Sequence, residues 1–81
     1  QIYPGHFLVR GDRGEPVEQL QENLRAIRAE DPSIPAVEVT GIFDDATRQA
    51  VLAMQKKLGL EETGAVGPVL WQQIISQGSG L

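Results

Sequence analysis

One helical pattern occurs twice in this chain of 81 residues, thirty-four positions apart, and it limits the folds open to the chain. Val17, Leu20, Gln21 and Leu24 return as Val51, Met54, Gln55 and Leu58. In each set apolar residues stand at i, i+3 and i+7, the spacing of one helix face, and a glutamine follows the second. Two such stripes need a partner surface to bury against. A third helix is expected after Gly67-Pro68, where Leu70, Trp71, Ile74 and Ile75 share a face. The expected fold is all-α, a compact three-helix bundle with long structured connections.

Local signals place the boundaries. The first helix is expected from about Glu15 to Ala29, with Asp12-x-x-Glu15 as a capping arrangement and Pro16 tolerated in the first turn. Asp31-Pro32-Ser33-Ile34-Pro35 stops it, because two prolines so close exclude a helix. Val37-Glu38-Val39 alternates and reads as extended, Gly41 needs a backbone that side chains resist, and Ile42 and Phe43 are expected to point inward. Asp44 or Asp45 caps the second helix, which runs to about Lys57. Gly59 ends it in a left-handed conformation with Leu60 folding back, and Glu61-Glu62-Thr63-Gly64 is a solvent-facing loop. Residues 1–11 read as an extended lead-in, 12–77 as the domain and 78–81 as a flexible tail. Opening on Gln1 without a methionine, the chain reads as an excised module or processed fragment.

Composition narrows the function. Apolar residues make up 41% and charged residues 22%, ordinary for a globular domain. Eleven acidic against seven basic side chains give a formal charge of −4, and the basic residues are scattered. Phosphate neutralisation needs a basic surface, so a nucleic-acid partner is not expected, nor is an anionic membrane. No run approaches the roughly 18 apolar residues of a membrane span. Without cysteine there is no disulfide and no thiolate metal site.

Catalytic chemistry is sparse. His6 is the only histidine and has no partner at a metal-ligand spacing, so no metal and no cofactor are expected. Asp44-Asp45 could serve as a carboxylate pair, but adjacent residues at a helix start read as caps. No serine or cysteine nucleophile motif is present, and no catalytic residue is assigned. The polar residues brought together by the loop into the second helix are Thr40, Asp44, Thr47 and Arg48, with Arg48 suited to a carboxylate. Gln55 joins them as a candidate ligand residue, because an amide both donates and accepts; the repeat places Gln21 and Gln55 in equivalent packing positions, which favours a hold on the backbone of the loops. Trp71 is a candidate sugar platform or, at its spacing from Ile74, a core residue.

From Phe7 to Ile74 the chain resembles the small three-helix peptidoglycan-binding domains found beside the catalytic modules of bacterial cell-wall hydrolases. The matching residues, in order, are Arg10-Gly11-Asp12-Arg13-Gly14, Val17-x-x-Leu20-Gln21-x-x-Leu24, Gly41-Ile42-Phe43 and Thr47-x-x-Ala50-Val51. They continue with Gln55, Leu58-Gly59-Leu60, Gly64-x-Val66-Gly67-Pro68 and Trp71-x-x-Ile74. Tyr3-Pro4-Gly5 and the connection from Pro32 to Phe43 are similar to a subgroup common in spore-forming Gram-positive bacteria. The chain departs from the family's pattern at Thr40, Asp44, Met54, Thr63 and Leu70.

The resemblance implies a non-catalytic module, extracellular and associated with the bacterial wall or spore. Its implied partners are peptidoglycan, through glycan or stem peptide, and a covalently attached catalytic domain outside this chain. The altered loop residues motivate the alternative, a protein–protein interaction or structural module of the same fold that has lost sugar binding. An enzyme prodomain of related fold fits less well, since the cysteine that some such prodomains use to block zinc is absent.

Overall fold

In the computed structural model, which describes residues 3–79, three helices follow one another along the chain: α1 (Glu15–Glu30), α2 (Asp45–Leu58) and α3 (Pro68–Gly78). The repeated stripe becomes the core. Val17, Leu20, Leu24 and Ile27 of α1 are buried, as are Ala50, Val51 and Met54 of α2 and Leu70, Trp71 and Ile74 of α3. The connections add Leu8, Ile34, Val37, Phe43 and Val66, so the loops supply a third of the buried apolar residues. Leu58, Leu60 and Ile75 are only partly buried against it. With a Cα radius of gyration of 10.9 Å, the chain meets the packing of a folded domain of its length, about 11.7 Å on the usual scaling.

Helices α1 and α3 make the most extensive close backbone approach of any two helices. Gly78 shows why. A Cβ there would stand 2.7 Å from the Asn23 Cα, so α3 can end against α1 only with a bare backbone at this position. Ser79 follows and its hydroxyl donates to Asn23 Oδ1 at 3.4 Å. The tail expected over 78–81 therefore begins inside α3, and residues 80 and 81 lie outside the described residues.

No strand forms among the described residues, but the lead-in is stitched to both later connections. Leu8 and Val66 exchange N–H···O bonds of 3.0 and 2.9 Å as an antiparallel bridge. Gly11 N–H donates to Phe43 O at 2.9 Å, Phe43 N–H to Asp12 O at 2.8 Å and Gly14 N–H to Gly41 O at 2.9 Å. Buried backbone groups need such partners, and here the lead-in supplies them.

The ends of the helices follow local chemistry, with one exception. Asp44 caps α2, its Oδ1 accepting from Thr47 N–H at 2.9 Å. Gly59 takes the left-handed conformation (φ 72°), and Leu60 N–H donates to Gln55 O at 2.8 Å in a Schellman closure. Pro68 begins α3 behind Gly67. The capping role expected of Asp12 does not occur. Gly14, at φ 117°, is the N-terminal cap of α1 without a side-chain bond, and Asp12 Oδ2 instead accepts from Val9 N–H at 2.9 Å. Ile42 is also corrected. It is 44% exposed, because its backbone pairs with Arg13 and its carbonyl with Gln21, which turns the side chain outward while Phe43 enters the core.

Candidate functional site

Each glutamine of the repeat clasps a Thr-Gly loop. Gln21 Oε1 accepts from Thr40 N–H and Gly41 N–H, both at 2.9 Å. Its Nε2 donates to Ile42 O and Thr47 Oγ1, both at 2.9 Å, with Thr40 Oγ1 at 3.4 Å. Gln55 repeats the arrangement: Oε1 accepts from Gly64 N–H at 3.0 Å, and Nε2 donates to Thr63 Oγ1 at 3.0 Å and Ala65 O at 3.2 Å. In both loops the threonine hydroxyl accepts from the backbone two residues on, at 3.2 Å. Gly41 (φ 78°) and Gly64 (φ 79°) supply the left-handed turns.

These bonds decide what the glutamines do. A primary amide has two N–H donors and two acceptor lone pairs, and Gln21 uses all of them inside the fold. Gln55 is 4% exposed and has both donors engaged. Both side chains hold loops rather than present a surface. Thr47 is likewise fully buried, donating to Asp44 Oδ1 at 2.8 Å while accepting from Gln21. Trp71 is 3% exposed, its ring meeting Tyr3 edge-on at 6.1 Å. A recess of about 400 Å³ lies beside it, lined also by Tyr3, Pro68, Gln72, Ile75 and Ser76.

The surface between the two loops is formed by the first turns of α2. Thr40 is exposed at its edge, and Asp44 is half-buried. The Asp44 carboxyl is held below the usual carboxylate range, first by the Thr47 N–H and then by the Thr47 hydroxyl, against an opposing effect of burial. It is therefore an anion at neutral pH. Arg48, one residue beyond Thr47, reaches across to the second loop: a Cβ at position 64 would stand 2.9 Å from its Nε. The Arg48 guanidinium makes no hydrogen bond or ion pair among the described residues. Arg10 and Asp45 form an exposed pair at 3.1 Å beside it.

Thus Thr40, Asp44 and Arg48 reach solvent, whereas Thr47, Gln55 and Trp71 are buried. The pattern of residues marks Phe7 as less committed to the core, and it is 60% exposed, but it had not indicated that Phe7 lies against Gly67, where a Cβ would meet the ring at 2.7 Å, or that Val69 is 63% exposed. The bareness of Gly67 beside Pro68 was the available signal. Among the described residues no group of acidic, histidine or cysteine side chains could hold a metal ion, and no helix is long and apolar enough to cross a membrane.

The family described as "Putative peptidoglycan binding domain" matches residues 13–74. The chain belongs to this family. This peptidoglycan binding domain is also similar to the crystal structure of the SleB N-terminal domain, with a TM-score of 0.78 and 26% identity over 95% of this chain and 99% of that one. A search of curated proteins finds no match. Membership accounts for the order of the motifs from Arg13 to Ile74 and supports binding to the bacterial cell wall.

Proposed function

We propose that this peptidoglycan binding domain is a non-catalytic module that holds an attached cell-wall enzyme on its polymer. It would work at the wall or the spore surface. A weak site on a tether makes each later encounter of the enzyme with the polymer intramolecular, so modest affinity suffices. The contact surface is the ground between the two clasped loops, with Thr40, Asp44 and Arg48 touching the ligand and Thr47, Gln55 and Trp71 keeping that surface in shape.

The observation that carries this assignment is Arg48, a guanidinium without a protein partner among the described residues, laid over Gly64 between the loops. A planar fork of donors in that position suits a carboxylate of the wall polymer. With a net charge of −4, the module gains nothing from bulk attraction to anionic wall polymers, so recognition depends on hydrogen bonds and shape. Co-sedimentation with insoluble peptidoglycan freed of teichoic acids, at low and moderate salt, tests it. Retention that survives moderate salt is expected, and Arg48→Ala should lose most of it with an unchanged melting temperature. Unchanged retention of Arg48→Ala would remove Arg48 from the site.

The exposed apolar side chains Phe7 and Val69 favour a second reading, a protein-interaction module of the same fold. Failure of the native domain to co-sediment at any salt, with a stable contact to a neighbouring domain, would select that reading.

A further inference from the structure

A second recess lies away from the loops, between the later half of α1 and the connection that follows it. Its volume is about 640 Å³, and Arg25, Arg28, Ala29, Ala36, Val37, Glu38 and Val39 line it. The geometry arises from how the connection returns along α1. Gly41 sits against Glu18, Thr40 and Gly41 are held by Gln21, and Val37 to Val39 then face Arg25 and Arg28. The order runs antiparallel to the helix, so positions 18, 21, 25 and 28, which share one helix face, meet the connection in turn.

Arg28 Nε is buried and has no hydrogen-bond partner, the one side-chain nitrogen or oxygen in that condition among the described residues. Buried donors are ordinarily paired, and this one, closed to water, is equally closed to a ligand oxygen, so only the outer nitrogens of Arg28 could meet one. A position in the last turn of α1 explains a positive charge there, through the helix dipole, but it does not explain a donor withdrawn from water. Arg25 stands three residues earlier on the same face, where like charges repel, and neither arginine has an ion pair or hydrogen bond among the described residues. Glu38 also lines the recess unpaired. Two guanidinium groups and one carboxylate leave a single local positive charge in a chain that is acidic overall.

We propose that this recess is a carboxylate-binding subsite that takes the free carboxyl end of a peptidoglycan stem peptide. The two guanidiniums hold the carboxylate, and the methyl side chain of a terminal alanine rests on Ala29, Ala36 and Val37. The local charge matches a monoanion and disfavours a dianion such as phosphate. The subsite extends the wall-binding assignment and rests on it, supplying a stem-peptide contact separate from Arg48.

The test is a titration of the ¹⁵N-labelled 81-residue chain, followed by NMR, with a soluble stem-peptide fragment ending in D-alanine. Its C-terminal carboxamide and inorganic phosphate serve as comparison ligands. The free acid should shift the amides of residues 25–29 and 36–39 and bind at least about tenfold more tightly than the carboxamide, as loss of a charge-assisted bidentate contact predicts. Arg28→Lys, which keeps the charge but not the fork, should weaken the acid by about fivefold, and Arg25→Gln with Arg28→Gln should abolish the difference between acid and amide.

Equal binding of acid and amide, equal binding of phosphate, or shifts confined to the loops around Arg48 would overturn the subsite. Co-sedimentation with peptidoglycan separates the two claims. Retention of the native chain with no acid–amide difference removes the subsite alone. A shift of the recess by the free acid in a chain that insoluble peptidoglycan does not retain keeps the carboxylate site and removes the wall-binding assignment.

Discussion

Gln21 and Gln55 occupy the same step of the repeated helical pattern, yet they close onto different things. Gln21 reaches a loop nineteen residues ahead and saturates its amide on Thr40, Gly41, Ile42 and Thr47. Gln55 reaches a loop only eight residues ahead and has one acceptor site unused by Thr63, Gly64 and Ala65. The helices that follow differ in the same sense. Counting from the cap, Asp44 corresponds to Gly67, Thr47 to Leu70 and Arg48 to Trp71. The first copy of this loop-into-helix unit is polar and partly open, whereas the second is apolar and packed into the core. One backbone plan has been used once to present chemistry and once to bury it.

The largest effect should come from breaking the clasps themselves. Gln21→Leu leaves the buried Gly41 N–H, the Thr40 N–H, the Ile42 carbonyl and the Thr47 hydroxyl short of partners. At the usual penalty for unsatisfied groups this should cost about 3 kcal/mol, against about 2 kcal/mol for Gln55→Leu. Urea unfolding of both variants measures it. Equal losses would mean that the extra bonds of the first clasp contribute nothing, and the contrast between the loops would be one of appearance only.

The two glycines sharpen the comparison from another side. Both Gly41→Ala and Gly64→Ala force a side chain into the left-handed region, which should cost each about 1–2 kcal/mol. They differ in what the new carbon meets. At position 41 it approaches the Glu18 side chain at 3.1 Å, whereas at 64 it drives into Arg48 Nε at 2.9 Å. Stability should therefore fall similarly in both, while co-sedimentation with peptidoglycan should fall further in Gly64→Ala. A matched loss of retention would detach the second loop from the contact surface.

How much of this was legible beforehand follows from the range of each interaction. The helix faces, the cap at Asp44, the left-handed Gly59 and Pro68 at the head of α3 all depend on residues within a turn or two, and spacing reveals them. Asp12 was misread because a capping pattern says nothing of Gly14, whose backbone at φ 117° takes the cap position and leaves Asp12 to the Val9 N–H. Ile42 looked like core by its apolar character, but bonds to Arg13 and Gln21, both distant in sequence, decide its facing. For the glutamines, the repeat put both in equivalent packing positions and favoured a hold on loop backbone over a ligand contact; the partners of that hold, distant in sequence for Gln21, were not legible. The approach of Arg48 to Gly64 and the recess at Arg28 are tertiary facts without a local signature.

Asp44 has no counterpart in the second unit, where Gly67 takes the cap position with no side-chain bond. Asp44→Ala should destabilise by about 1 kcal/mol, the ordinary value for an N-cap, visible as a lower melting temperature. The reverse change, Gly67→Asp, should not gain that amount, since the new side chain would displace the Phe7 ring that stands 2.7 Å from its Cβ position. A stabilising Gly67→Asp would show that the two units are interchangeable after all.

The smallest effect concerns acid. Asp31, just beyond α1, has its pKa lowered from the ordinary 3.8 to about 2, first by the Ser33 hydroxyl at 2.6 Å, then by Lys57 at 3.1 Å, and by the Ser33 N–H. Asp44 is lowered in the same direction by Thr47. A carboxyl whose folded value is depressed contributes stability that is fully present above its unfolded pKa and disappears as pH falls through the folded one. For Asp31 that window runs from about pH 4 to about pH 2 on those values. Melting temperature should fall across this range, and Asp44→Asn should flatten the decline more than Asp31→Asn. The reason is solvent: the Asp31–Lys57 pair is partly exposed and screened, whereas the Asp44 carboxyl bonds to a buried threonine at the base of the polar unit. If Asp31→Asn flattened the curve more, acid sensitivity would reside in the tie between the ends of α1 and α2 rather than at the cap of the polar unit.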